Sequence, residues 1–278
     1  MLWHCRNRVI DLTRPLVMGV LNVTPDSFSD GNRYAAVDAA LARAAEIESE
    51  GAAIIDVGGE STRPGSLAVS AAVELGRVLP VIEGIAASSG IAISIDTSKP
   101  EVMAAALRAG ACIVNDVNAL RAPGARERAA EAQAGVCLMH MKGEPRTMQN
   151  EPRYDDVIGE VSAYLDEQRQ ACMRAGVARE AIALDPGIGF GKGLSHNLVL
   201  LRELERLASL GAPLVVGVSR KSFIGRILGK QVGERLYGGL GLASLAVAKG
   251  ARIIRTHDVA ATREAIEIVA AVLIDGER

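Results

Sequence analysis

Short apolar, β-branched runs recur along the chain, and each stops abruptly at Gly, Asn, Asp, Ser or His before a longer Ala-, Glu- and Arg-rich stretch with helical spacing. The runs span 16–23 (LVMGVLNV), 53–58, 91–96, 112–117, 136–141, 181–185, 213–219 and 251–257. The stretches between them predict helices over 35–50, 69–87, 99–109, 125–134, 157–175, 198–209, 234–248 and 260–274. Strand and helix therefore alternate, which implies parallel strands with helical crossovers. The runs are nearly continuous in hydrophobicity rather than alternating, so each strand is expected to be buried on both faces. Eight such units in about 250 residues predict an α/β fold of the (β/α)8 TIM-barrel type. A doubly wound open sheet, the competing architecture, normally has fewer strands.

No Pro-, Gly- or Ser-rich linker divides the chain, so 1–278 reads as one domain. The first dozen residues precede the first unit and are expected to form a short hairpin or plug at the barrel bottom. The longest connection without a clear element, 142–156, reads as a structured loop after the fifth strand.

Composition adds mainly exclusions. Lys plus Arg (31) nearly balances Asp plus Glu (33), and a net charge of -2 provides no global field to recruit nucleic acid or a membrane surface. Any anion recognition must be local. Cys5, Cys112, Cys137 and Cys172 contain no CxxC pair, which favours reduced structural thiols. The start, MLWHCRNRVIDL, lacks an apolar signal-peptide core, and no apolar stretch reaches the roughly 18 residues needed to span a bilayer. A cytoplasmic protein is expected.

In barrel enzymes the site is built at the carboxyl ends of the strands. Here those ends carry Asn22, Asp56, Asp96, Asn115 with Asp116, His140, Asp185, Ser219 to Lys221, and Arg255 with His257. An isolated Asp or Asn after a strand is more often a cap or turn residue than a catalytic group. Asp56, Asp96, Asn115 and Asp185, however, lie inside or directly against apolar runs, where unpaired polar groups are costly. Buried carboxylates and an amide without a His or Cys cluster suit a flat heterocycle whose edge is rich in N–H donors, such as the 2-amino-4-oxo edge of a pterin or guanine. Metal ligation by Asp96 and Asp185 competes with that reading, and Lys221 nearby would oppose a bare divalent cation. Arg255 and His257 are one residue apart on the last strand end, so both can point inward, where such barrels hold phosphate. Arg220 reads equally well as a surface ion-pair partner. Two Gly- and hydroxyl-rich loops, 22–32 (NVTPDSFSDGN) and 58–66 (GGESTRPGS), are candidate lids. DPGIGFGK at 185–192 lacks the spacing of a phosphate loop.

Taken in order, MGVLNVTPDSFSDG, DVGGESTRPG, ISIDTSKPEV, VNDVNAL, LMHMKGEPRTMQ, LDPGIGFGK, GVSRKSFIG and RTHDV closely resemble the strand-end motifs of the bacterial dihydropteroate synthases, a pterin-binding TIM-barrel family. The resemblance implies synthesis of dihydropteroate from a dihydropterin pyrophosphate and p-aminobenzoate, with Mg2+ as cofactor; Ala-rich outer helices near the carboxyl end make a homodimer the expected assembly. It places Asp96, Asn115 and Asp185 on the pterin, with Lys221 reaching the ring from the other side, and Asn22 at the magnesium. Arg255 and His257 correspond to the anion site. Asp30, Thr62 and Arg63 correspond to residues that close over the reacting centre, and Phe28, Pro64, Phe190 and Ser222 to the p-aminobenzoate pocket. Asn32 and Thr256 depart from the family pattern without touching the named groups. A methyltetrahydrofolate-binding methyltransferase would use a similar barrel without a pyrophosphate site, and a non-catalytic pterin-binding paralogue would lack the loop and anion residues that this chain carries. A phosphosugar isomerase or aldolase fits the inward Asp pair badly.

Overall fold

The computed structural model describes residues 1–23, 33–61, 66, 68–144 and 147–275. The chain opens with an antiparallel hairpin, β1 (Leu2–Cys5) and β2 (Arg8–Asp11), in which Trp3 pairs with Ile10. From there strands and helices alternate: β3 (Leu16–Asn22), α1 (Arg33–Ser49), β4 (Ile54–Gly58), α2 (Ala71–Ser88), β5 (Ala92–Asp96), α3 (Pro100–Ala109), β6 (Ile113–Asp116), α4 (Ala125–Glu131) and β7 (Gly135–Met139). The second half continues with α5 (Val157–Arg174), β8 (Ile182–Asp185), α6 (Leu194–Arg202), α7 (Leu204–Ala208), β9 (Val215–Gly217), α8 (Ser222–Leu228), α9 (Leu236–Ala248), β10 (Ile253–Thr256) and α10 (Val259–Ala270).

Strands β3 to β10 form one parallel sheet in the order β8-β7-β6-β5-β4-β3-β10-β9, and a bridge between Leu184 and Leu214 brings its two edges together. This is the eight-stranded barrel that the alternating pattern predicts. Local chemistry starts the helices: Ser70 accepts from Val73 N–H (3.3 Å) to cap α2, Asp156 accepts from Ile158 N–H (3.1 Å) to cap α5, and Pro100 occupies the first turn of α3.

Two clusters share the core. The larger lies between the outward faces of the strands and the helices. The smaller fills the barrel interior at its amino-terminal end, where Trp3, Cys5 and Leu12 from the hairpin meet Met18, Ile54, Ile113 and Ile253. The hairpin is therefore the expected plug. Trp3 is fully buried and its indole N–H donates to the Ala181 carbonyl at 2.9 Å. Gly135 is required at the start of β7, because a Cβ there would lie 2.4 Å from the Cys5 sulfur. All four cysteines are buried free thiols.

The elements depart from the sequence pattern in three places. The helix expected over 198–209 is interrupted at Glu203, giving α6 and α7. The strand expected over 213–219 contracts to Val215–Gly217, because Ser219 turns aside to meet His257. Helix α8 was not foreseen: its seven residues include Ser and Gly and are too short for helical periodicity to show. The 142–156 connection packs through Met148, beside Met141 just before it, against Val117, Met139 and Phe190. Among the described residues no helix is long and apolar enough to cross a membrane.

Candidate active site

At the carboxyl ends of the strands, register sets Asn22, Gly58, Asp96 and Asn115 side by side across β3, β4, β5 and β6. Their neighbours form a cavity lined by Asp96, Asn115, Asp185, Lys221 and Arg255 together with Val117, Met139, Ile188, Phe190 and Gly217. Its lining is polar on one side and apolar on the other.

A charged network organises its floor. Arg255 Nε donates to Asp56 Oδ2 at 2.6 Å and Nη2 to Asp96 Oδ2 at 2.7 Å, while Asn115 Nδ2 donates to the same Asp56 oxygen at 3.0 Å. Arg255 is in register with Met18, which pairs with Ile54; Asp56 lies two residues further along β4. Only a long side chain meets both carboxylates across tilted strands. The arginine expected to serve anions alone is thus also the counter-ion of the buried acids. Although burial opposes its charge, Asp56 and Asp96 hold Arg255 above its ordinary range. Burial pushes the Asp96 carboxyl up to about 7, with Arg255 pulling it back and Asp56 adding to the rise. Burial likewise raises Asp185, against the Gly187 N–H that donates to its Oδ1 at 2.7 Å and the charge of Lys221. Lys221 is brought down to about 8 by burial, partly offset by Asp185, and its ammonium lies 4.3 Å from the centre of the Phe190 ring.

The profile of the pterin binding enzymes matches residues 18–257. Dihydropteroate synthase of Escherichia coli (strain K12) is 53% identical over 264 residues, 95% of this chain and 94% of that protein. The chain belongs to the dihydropteroate synthase family of pterin binding enzymes. Among solved structures, the Yersinia pestis dihydropteroate synthase with a sulfonamide drug complex superposes with a TM-score of 0.93 at 46% identity, covering 98% of this chain and 99% of that one. The Xanthomonas albilineans dihydropteroate synthase with 4-aminobenzoic acid gives 0.92, also at 46% identity, covering 98% of each chain.

In this member of the family, Asp96, Asn115, Asp185, Lys221, Arg255 and Phe190 converge on one cavity. Asn22 stands at its edge: a Cβ on Gly58 would lie 3.6 Å from the Asp96 Cβ and 3.8 Å from Asn22 Oδ1, so the two side chains flank that glycine. His257 lies off the cavity wall, with Nδ1 3.1 Å from the Ser219 hydroxyl. Ser222 is exposed in the first turn of α8, beside Lys221. Phe28, Asp30, Thr62, Arg63 and Pro64 lie outside the described residues. The described flanks of the 58–66 loop are tied down: Val69 N–H donates to Glu60 at 3.1 Å, and Lys99 bridges Glu60 and the fully buried Glu74, 2.6 Å from the latter.

Several strand-end residues build structure. Asp116 accepts from the Asn118 and Leu120 N–H groups, both at 2.8 Å, and shapes the turn after β6. Arg220 pairs with Asp258 at 2.6 Å near the surface. The DPGIGFGK segment is no phosphate loop: Lys192 turns inward to His140 Nδ1 (2.9 Å) and the carbonyls of Gly187 (3.0 Å) and Phe190 (3.0 Å). Burial lowers Lys192 to about 7 and His140 to about 3. Gly187 and Gly191 have φ of 65° and 63°, and a Cβ on either would strike the backbone of His140 or Lys142. The loops after β7 and β8 are thereby stapled together. Sequence reasoning placed Asp56 among the buried strand-end acids without reading its partners, which come from other strands, and it assigned no role to the apolar wall, since Val117, Met139 and Ile188 carry no chemistry to mark them.

Proposed function

We propose that the chain joins 6-hydroxymethyl-7,8-dihydropterin pyrophosphate to p-aminobenzoate, releasing pyrophosphate and forming 7,8-dihydropteroate, with the pterin in the cavity beneath Lys221. The observation that carries this reading is the meeting of three acceptor groups, Asp96, Asn115 and Asp185, around one space with an apolar opposite wall. An edge rich in N–H donors is complementary to such a wall. Lys221 approaches from the Phe190 side, and its ammonium can donate to an acceptor atom of the ring.

An aromatic amine is already a neutral nucleophile at pH 7, so the bond to the pterin methylene forms without a strong general base. The barrier lies in expelling pyrophosphate. Arg255 and His257 are assigned to that developing charge, and the carboxylates of Asp96 and Asp185 favour cationic character on the ring carbon, so a dissociative displacement is preferred. Phe190 and Ser222 are assigned to p-aminobenzoate, and Phe28, Asp30, Thr62, Arg63 and Pro64, by the sequence resemblance, to the loops that complete the site.

Among the described residues no group of three or more His, Cys, Asp or Glu could hold a metal. The single amide oxygen of Asn22 fits a magnesium ion that arrives with the pyrophosphate, since Mg2+ keeps waters and takes few protein ligands beside phosphates. When bound, it would neutralise the leaving group. A cytoplasmic homodimer is the proposed form. Apolar residues exposed on or beside α8, α9 and α10, among them Ile227, Leu228, Val232, Tyr237 and Ile268, support the dimer, and the mass in solution tests it.

Purified protein incubated with the dihydropterin pyrophosphate, p-aminobenzoate and Mg2+ should yield dihydropteroate by mass, and none when either substrate is omitted. A folded protein that binds the pterin and forms no product would overturn the assignment of activity.

A further inference from the structure

We propose that Asp56 is a positioning residue of the pterin site, which from beneath the cavity dictates which end of the Asn115 amide and which edge of the Arg255 guanidinium meet the ligand. The inference rests on the reading that the pterin occupies this cavity.

Asp56 is fully buried and does not line the cavity, so it acts through its partners. One oxygen, Oδ2, takes both hydrogen bonds, from Asn115 Nδ2 and from Arg255 Nε. An amide has a donating and an accepting end, and only the donating end can face a carboxylate. With Nδ2 committed downward, Oδ1 of Asn115 is the end left for the cavity, and among the described residues no donor occupies it. Were the amide reversed, it would present N–H to a ligand edge that is itself made of N–H groups, and both would be left unpaired. Asp56 therefore converts an ambidextrous side chain into an acceptor, and Asp96, Asn115 and Asp185 become a uniform accepting wall. A second constraint acts on Arg255. Its Nε and Nη2 are held by Asp56 and Asp96, which fixes the guanidinium plane and leaves Nη1 as the nitrogen without a protein acceptor among the described residues. Ligand discrimination of this kind depends on buried polar groups being left unpaired by the wrong partner, which makes the orientation of Asn115 a specificity determinant rather than a packing detail.

The test uses 6-hydroxymethyl-7,8-dihydropterin, which carries no phosphate, as the calorimetric probe. Asp56→Leu removes the acceptor with little change in size, whereas Asp56→Asn keeps a carbonyl for both donors. Expected are a dissociation constant at least tenfold weaker for Asp56→Leu and one within threefold of the parent for Asp56→Asn. In turnover, Asp56→Leu should raise KM for the pterin substrate and lower kcat through the released Arg255, while leaving KM for p-aminobenzoate near the parent value. Should Asp56→Leu fail to fold, Asn115→Asp decides the matter: it sets a carboxylate against Asp56 and should weaken the probe, and adding Asp56→Asn should restore affinity by returning a donor to the contact. A folded Asp56→Leu protein that binds within twofold of the parent, an equal rise in both KM values, or no restoration in the double variant would overturn the proposal. Failure of the parent chain itself to bind the probe would instead strike at the pterin reading.

Discussion

The two ends of the barrel are built on the same inward-facing positions and differ by a single step of two residues. At the amino-terminal end those positions carry Ile54, Ala92, Ile113, Ala183 and Ile253, sealed by Trp3, Cys5 and Leu12. Two residues further along each strand stand Asp56, Ser94, Asn115, Asp185 and Arg255. Side chains in a strand repeat with period two, so one face of one strand serves the core and then the site without any change of backbone. The plug end contributes burial and a single indole hydrogen bond, while the mouth contributes paired charges that burial alone would disfavour. Stability and chemistry are therefore stacked along the barrel axis rather than divided between separate parts of the chain.

Substitutions at the two ends should separate these contributions. The largest effect is expected for Trp3→Ala, which empties the plug and should lower unfolding free energy by about 3–5 kcal/mol in denaturant titration. Pterin affinity of the folded fraction should be unchanged; a parallel loss of affinity would mean that the two ends are coupled. Arg255→Ala probes the limit of the division, since it strands Asp56 and Asp96. It should cost about 3 kcal/mol of stability, the low end for a broken buried pair because the side chain keeps some exposure. Asp185→Asn should leave the melting curve in place and weaken pterin binding by about 1.5–3 kcal/mol in calorimetry, through loss of a charged acceptor. Lys221 supplies a pH test. Its ammonium is lost as pH rises through about 8, so kcat/KM for the pterin substrate should fall above that pH, by about tenfold per unit, and Lys221→Arg should remove the fall. The smallest effect is expected for Arg220→Ala, which breaks a largely solvated pair and should change stability by less than about 1 kcal/mol.

The barrel was legible because each strand is a continuous apolar run ended by a polar residue, and burial on both faces demands that pattern. What the pattern could not show is whom each terminal residue faces. Asp56 and Asp116 look alike in sequence, each closing or nearly closing an apolar run, yet one pairs with Arg255 across the barrel and the other holds its own turn. The distinction is made by residues 199 positions away in the first case and four in the second, and only the local one has a readable motif. The segment DPGIGFGK was set aside as a nucleotide site on spacing alone, while the inward turn of Lys192 depends on contacts with His140 that no spacing encodes. Helix α8 was missed because a seven-residue helix scarcely completes two turns.

The hydrogen bond from Trp3 to Ala181 also sets a schedule for the nascent chain. Its partners are 178 residues apart, so at about 5–20 residues per second the first strands leave the ribosome roughly 9 to 36 s before their seat exists. During that interval Trp3, Cys5 and Leu12 have no interior to enter, and β3 still waits for β10, the last strand to be made. Closure of the bottom and completion of the sheet are thus deferred to the end of synthesis, as expected for a topology dominated by distant pairings. The amino-terminal hairpin is then the segment for which protection by a chaperone, or slower translation of the second half, would most change the yield of folded protein.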